Sequence, residues 1–192
     1  MKALQELPQD YRAICAIDLQ KNKKLALLVN GMALVIAALM VVPMHLTVSF
    51  ATLFDMSRGM GAYFLRFGVL LVAIVAYMIL HELVHGIVMK CCGTKQVKYG
   101  FTGVYAFAGS QDYYDKKSYI TIALARVIVW GLVLVVVQLL LSVEWLWVVY
   151  LVQICNISGA AGDLYVTVRF SRLPADILVQ DYGVGMTVYS KE

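Results

Sequence analysis

Three residues in the stretch Tyr77–Lys90, YMILHELVHGIVMK, could do chemistry that their apolar neighbours could not: His81, Glu82 and His85. They fit the pattern H-E-x-x-H. On a helix, His81 and His85 project from one face. Two imidazoles on successive turns can take two tetrahedral positions around one Zn2+. Glu82 points about 100° away, as successive helical residues do. It need not ligate; it is placed to take a proton from an attacking water, the role of the glutamate in zinc hydrolases. The plainer reading is a pair of histidines that pack between helices. Against it stands the cost of ionisable groups inside an apolar span, where such residues are usually functional.

A catalytic zinc needs a third protein ligand and an open position. Of the acidic residues, only Glu82 and Asp163 fall within apolar stretches long enough to cross a bilayer, so Asp163, in CNISGAAGDLY, is the expected third ligand. The remaining histidine, His45, ends the first such stretch on the opposite side and reads as an interfacial residue. With a rise of 1.5 Å per residue, His81 and Asp163 come within a few ångströms of the same depth, and Arg126 lies at a similar level. A lone intramembrane arginine needs a partner. Arg126 could orient Asp163, stabilise a developing oxyanion, or snorkel to the interface. Asn156 can donate hydrogen bonds to a substrate carbonyl or backbone. Gly159, Ala160, Ala161 and Gly162 are small enough for close approach of a helix or a substrate strand, ordinary helix packing being the simpler use.

The elements that must position these residues follow from composition. The chain has 192 residues, 61% of them apolar, and its mean hydropathy is +0.78. Charged residues make up 15%, against roughly 25% in a soluble domain. A single integral-membrane domain over residues 1–192 is expected, all-α, with four transmembrane helices near Leu25–Leu46, Phe64–Met89, Tyr119–Leu141 and Trp145–Phe170. The polar first 24 residues read as a tail before a retained span rather than as a cleavable signal. Lys and Arg concentrate in both tails and the middle loop, which puts those segments in the cytoplasm. The four cysteines then lie toward the cytoplasmic side, which argues against a disulfide framework, and Cys91 and Cys92 read as interfacial thiols. The net charge of +4 without a basic block argues against nucleic acid as a partner. In the middle loop, Val97, Tyr99, Phe101, Tyr105 and Phe107 fall on alternate positions, the period of a strand or hairpin whose edge could pair with an extended chain. The N-terminal tail reads either as a short interfacial helix, with Leu7, Tyr11 and Ile14 on one face, or as a solvated lead-in.

The run His81-Glu82-Leu83-Val84-His85, followed by Asn156 to Asp163 on a later span, resembles a zincin peptidase family of otherwise unknown function in bacterial membrane proteins. More distantly it is similar to the site-two protease class of intramembrane metalloproteases. The resemblance covers most of the chain, through the tail VQDYGVGMTVY. It implies zinc held by His81, His85 and Asp163, Glu82 as the base, a membrane-protein or peptide substrate, and a bacterial cell membrane as the location. The segment before Asp163 departs from the site-two pattern in lacking a proline, in lacking a glycine after Asp163, and in being slightly compressed. The function expected is zinc-dependent hydrolysis of a peptide bond near the cytoplasmic side. Two alternatives stand beside it: a membrane scaffold or regulator whose metal only staples two spans, and a zinc hydrolase of a small or lipidic substrate.

Overall fold

In the computed structural model, residues 3–103 and 106–191 are described. The order is β1 (Tyr11–Asp18), α1 (Lys23–Thr47), a short 3-10 turn (Phe50–Phe54), α2 (Met60–Cys91), β2 (Lys98–Phe101), β3 (Ala106–Gly109), β4 (Tyr113–Asp115), α3 (Lys116–Leu140), α4 (Val143–Gly159), α5 (Ala161–Ser171), β5 (Leu178–Asp181) and β6 (Gly185–Lys191).

The helices follow the apolar stretches. Among the described residues, four helical segments are long and apolar enough to cross a membrane: Lys23–Thr47, Met60–Cys91, Lys116–Leu140 and Val143–Ser171. Leu27, Leu34, Leu39 and Leu46 on α1, and Leu139 and Leu140 on α3, are largely exposed. Exposed apolar side chains of this kind are what a membrane-spanning helix presents to lipid. The fourth segment is not one helix. It breaks at Ala160 (φ −85°, ψ 10°), and α5 restarts one residue later with Asp163 in its first turn. There the partly positive helix N-terminus favours a carboxylate.

The chain is mostly helical (61%), as expected, but it carries more strand than the middle-loop hairpin alone. The two tails and the middle loop build an antiparallel sheet in the order β1-β6-β5-β4, with Tyr11 opposite Lys191, Leu178 opposite Tyr189 and Tyr113 opposite Gln180. The N-terminal tail is therefore strand rather than interfacial helix or solvated lead-in. Its β-branched and aromatic partners in β6 supply a pleated surface that an isolated tail lacks. The middle-loop hairpin is present as β2 paired with β3, with Tyr99 opposite Ala108 and Phe101 opposite Ala106. Tyr105, counted in its alternation, lies outside the described residues.

The chain divides into two compact units. One comprises Met1–Val29, Leu80–Arg126 and Gly162–Glu192. Its core joins Ile17, Val179 and Val188 of the sheet to Met89 of α2, Tyr119 and Ile122 of α3, and Val166 and Phe170 of α5. Asp115 caps α3 by accepting the N–H groups of Lys117 and Ser118, both at 3.0 Å. The Lys116 ammonium donates to the carbonyls of Ser171 (3.0 Å) and Leu173 (2.7 Å) at the end of α5. The start of α3 is thus tied to the end of α5.

The other unit comprises Asn30–Ile79 and Val127–Ala161. Its core is Leu53, Trp147 and Val148, and the Trp147 indole donates to the Val48 and Ser49 carbonyls at 3.0 and 3.1 Å. Arg58 pairs with Glu144 at 2.5 Å. His45 Nδ1 accepts the Phe50 N–H at 3.0 Å, which closes the end of α1.

Candidate metal centre

Helix α2 presents His81, Glu82 and His85, and α3 presents Tyr119 and Arg126, seven positions apart and so on one face. Between those two lie Ile122 and Ala123, both buried, which hold that face against the core. Arg126 is the junction of the site. Its Nε (3.1 Å) and its Nη2 both donate to Oδ2 of Asp163 on α5, and its Nη1 lies 3.5 Å from Oε1 of Glu82. Of the three uses considered for this arginine, the geometry is that of orienting Asp163. Both bonds fall on Oδ2, so the pair leaves Oδ1 to other partners. Glu82 Oε1 also lies 3.9 Å from His81 Nε2, and the backbone N–H of Ala108 in β3 reaches the Glu82 carboxylate.

One cation and two carboxylates buried together in this way are costly to assemble and costlier to break. The side chains of Arg126, Glu82 and Asp163 are only about one-eighth exposed. The same geometry brings two carboxylates, from different helices, to a single positive charge.

A further carboxylate belongs to the cluster and was not among the expected site residues. Asp181, at the end of β5, is buried. Its Oδ1 accepts the Gly183 N–H at 2.9 Å and its Oδ2 accepts the Tyr119 hydroxyl at 3.1 Å. Oδ2 also lies 4.0 Å from His85 Nε2. Burial pushes the Asp181 carboxyl up to about 6, against the Gly183 and Tyr119 hydrogen bonds and the charge of Arg126. Elimination by span had set Asp181 aside, because it lies on the C-terminal tail. The signal for it was local: D-Y-G is the start of a turn, and the Asp181 side chain does bond the backbone two residues on.

The hairpin β2–β3 is fastened to this corner. Ser110 N–H donates to the Asp181 carbonyl at 2.7 Å. Gly109 packs so closely on the turn that a Cβ there would sit 2.4 Å from Gly183 N and from Tyr182 C. Gly86, one residue past His85, leaves room for the Tyr99 hydroxyl of β2; a Cβ would fall 1.9 Å from it.

Asn156 belongs to the other unit. It is fully buried, accepts the Tyr77 hydroxyl on Oδ1 at 3.0 Å and donates from Nδ2 to the Val127 carbonyl at 3.2 Å. It thus ties α2, α3 and α4 together within that unit.

Two imidazoles and a carboxylate are the donor types that zinc takes at catalytic sites. Among the described residues no three such groups stand already gathered as a metal-holding set. His85 Nδ1 is enclosed, the Ile122 backbone accepts from the ring, and Nε2 is the ring nitrogen that faces Asp181. The residues fit zinc in donor kind.

An H-E-x-x-H helix beside a carboxylate from a later helix defines a zincin-like class of protein. Residues 74–178 match the family model described as "Putative zincin peptidase", and the chain belongs to that family. No curated protein and no solved structure matches it.

Proposed function

We propose that this chain is an intramembrane zinc metallopeptidase that hydrolyses a peptide bond of a membrane protein near the cytoplasmic side. The observation that carries the reading is the convergence of Glu82 and Asp163, from α2 and α5, on the Arg126 guanidinium. That convergence brings the H-E-x-x-H glutamate and the candidate third ligand into one cluster, on segments long and apolar enough to cross a bilayer. His81, His85 and Asp163 would hold the zinc, which supplies Lewis acidity toward a carbonyl and makes water acidic enough to react at neutral pH. Glu82 takes the proton of the attacking water and returns it to the leaving amine. Arg126 holds Asp163 in place and offsets the charge of Glu82.

The sheet supports the proposed topology. β1 comes from the N-terminal tail, β4 from the middle loop and β5–β6 from the C-terminal tail, and all are hydrogen-bonded in one sheet. In a membrane such pairing puts the three segments on the same side, and their Lys and Arg content favours the cytoplasm. The peptide substrate is read from β2–β3, whose Tyr99 and Phe101 are exposed. A transmembrane helix must unwind before its carbonyls can be attacked, and a strand edge can hold the unwound segment extended.

The test compares two substitutions in the purified protein. Asp163→Ala should lower both zinc content and cleavage. Glu82→Gln keeps size and hydrogen bonding but cannot act as the base; it should retain about one zinc per chain while cleavage falls at least ~10²-fold. Full cleavage by Glu82→Gln would overturn the mechanism. Metal loss in Asp163→Ala with no defect in Glu82→Gln would instead mark a structural metal.

A further inference from the structure

We propose that Asp181 is a fourth protein ligand of the metal, and that in the resting protein it fills the position a reacting water needs. The inference rests on the zinc reading above and adds regulation to that site. It does so through a residue beyond the segment matched by the family model, which ends at residue 178.

Three observations lead there. First, Asp181 lies on the ligating side of the motif. Its Oδ2 is 4.0 Å from His85 Nε2, the ring nitrogen left for a metal once Nδ1 is enclosed beside the Ile122 backbone. Two donors of one tetrahedral zinc, each at its usual bond length, stand roughly 3.3 Å apart, so a shift of less than about 1 Å makes the two a ligand pair. Second, Asp181 is a buried carboxylate short of positive charge. Buried charges are paired or bind a metal. Arg126 is engaged by Glu82 and Asp163. Among the described residues, the His85 ring is the one basic group within 4.0 Å of the Asp181 carboxylate. A ring that ligates a metal is neutral, so it is no counter-charge; a divalent cation is. Third, the carboxylate is aimed and has capacity to bind. Gly183 N–H holds Oδ1 at 2.9 Å and the Tyr119 hydroxyl holds Oδ2 at 3.1 Å. Each carboxylate oxygen has two lone pairs, so Oδ2 keeps one for a metal.

Coordination number gives the consequence. His81, His85 and Asp163 are three protein ligands, the number at a catalytic zinc, whose fourth position takes water or substrate. A fourth protein ligand closes the site, as in structural zinc centres. Glu82 then has no water to deprotonate beside the ion. Exchange of the Asp181 carboxylate for one water molecule opens the position and leaves the other three ligands in place. Those three stand on helices α2 and α5. Asp181 stands instead on a strand end fastened to β3, by the Ser110 N–H on its carbonyl at 2.7 Å and by the close approach of Gly109 to Gly183. The closing ligand therefore hangs on the sheet and the hairpin, not on the helices that carry the rest.

The experiment loads the full-length, detergent-solubilised protein with Co2+ in place of zinc and records its visible spectrum, which reports ligand number and type. Sodium azide, an anion that takes an open position, is then titrated in. The unsubstituted protein should keep its spectrum throughout. Asp181→Asn keeps the shape of the side chain and an acceptor for Tyr119 but is a poor ligand. It should show an altered spectrum at Co2+ saturation and a further, saturable shift with azide. It should still hold about one zinc per chain, because three ligands remain, and should yield it more readily to a chromogenic chelator. An azide shift in the unsubstituted protein overturns the inference, and that arm needs no variant to fold. So does an Asp181→Asn spectrum equal to that of the unsubstituted protein, the result expected of a purely structural residue. Metal loss from Asp181→Asn as complete as from Asp163→Ala, with helical circular dichroism unchanged, also overturns it, since Asp181 would then be one of the three indispensable ligands. If the unsubstituted protein takes up neither zinc nor Co2+, the proposed function fails; if it takes up both and its spectrum responds to azide, only this inference fails.

Discussion

Replacing Arg126 with methionine tests the charge arrangement most directly. Methionine keeps the length of the side chain and removes the guanidinium. In the metal-free protein Arg126 neutralises two buried carboxylates. At the 3.5 Å separation from Glu82, with an effective dielectric near 20, one unit-charge attraction is about 5 kcal/mol. The bond to Asp163 is shorter still and so at least as strong. Much of this attraction offsets desolvation, and removing one partner of a buried pair typically costs about 3–5 kcal/mol net. In a chain of this size that is a fall of roughly 6–20 °C in unfolding midpoint. Zinc should reverse part of it, since a divalent cation beside Glu82 and Asp163 replaces the missing charge, and ligand binding to the folded state adds stability by mass action. The assay is thermal unfolding in detergent, first in chelator and then with zinc. Arg126→Met should unfold earlier than the unsubstituted chain in chelator, and zinc should raise its midpoint by more. Equal midpoints in chelator would refute the reasoning, because the two carboxylates would then need no arginine.

Gly109→Ala forces a Cβ against the backbone of Tyr182 and Gly183, where no side chain can give way, and should lower stability by about 1–3 kcal/mol; an unchanged unfolding midpoint would mean that β3 does not pack on the β5–β6 turn as described. Phe101→Pro removes a backbone donor from β2 and should impair cleavage with zinc content unchanged; normal cleavage would remove the hairpin from substrate binding. Reporter fusions at Ser57 and Glu144 should read outside and one at Asp115 inside; a cytoplasmic signal at Ser57 would overturn the topology.

The helices were legible because a bilayer-length apolar run needs no tertiary information. The break at Ala160 was not, since Gly159 to Gly162 was read as a packing surface, and small residues serve packing and helix termination alike. At helical period Leu7, Tyr11 and Ile14 fall on one face, which hides the strand β1. Its alternation is visible in YRAICAID, but only the pairing with β6, far away in sequence, gives that pattern something to fit. The candidate site divides in the same way. His81, Glu82, His85, Arg126 and Asp163 were found by motif and by the cost of charge inside a span. Asp181 is buried by strand, turn and α3 together, so no window of the sequence marks it as interior.

The pairing of β1 with β6 also sets an order in time. Tyr11 emerges from the ribosome long before Lys191, yet they are opposite one another in the sheet. Contacts separated by nearly the whole chain are the slowest to form, and the strand that bears Asp181 is itself held between β6 and β4. During synthesis the long apolar helices are therefore complete while the sheet is still open at its centre. The corner around His85 is completed only once β5 and β6 have been made, so the candidate site stays open until every helix that carries it has been synthesised.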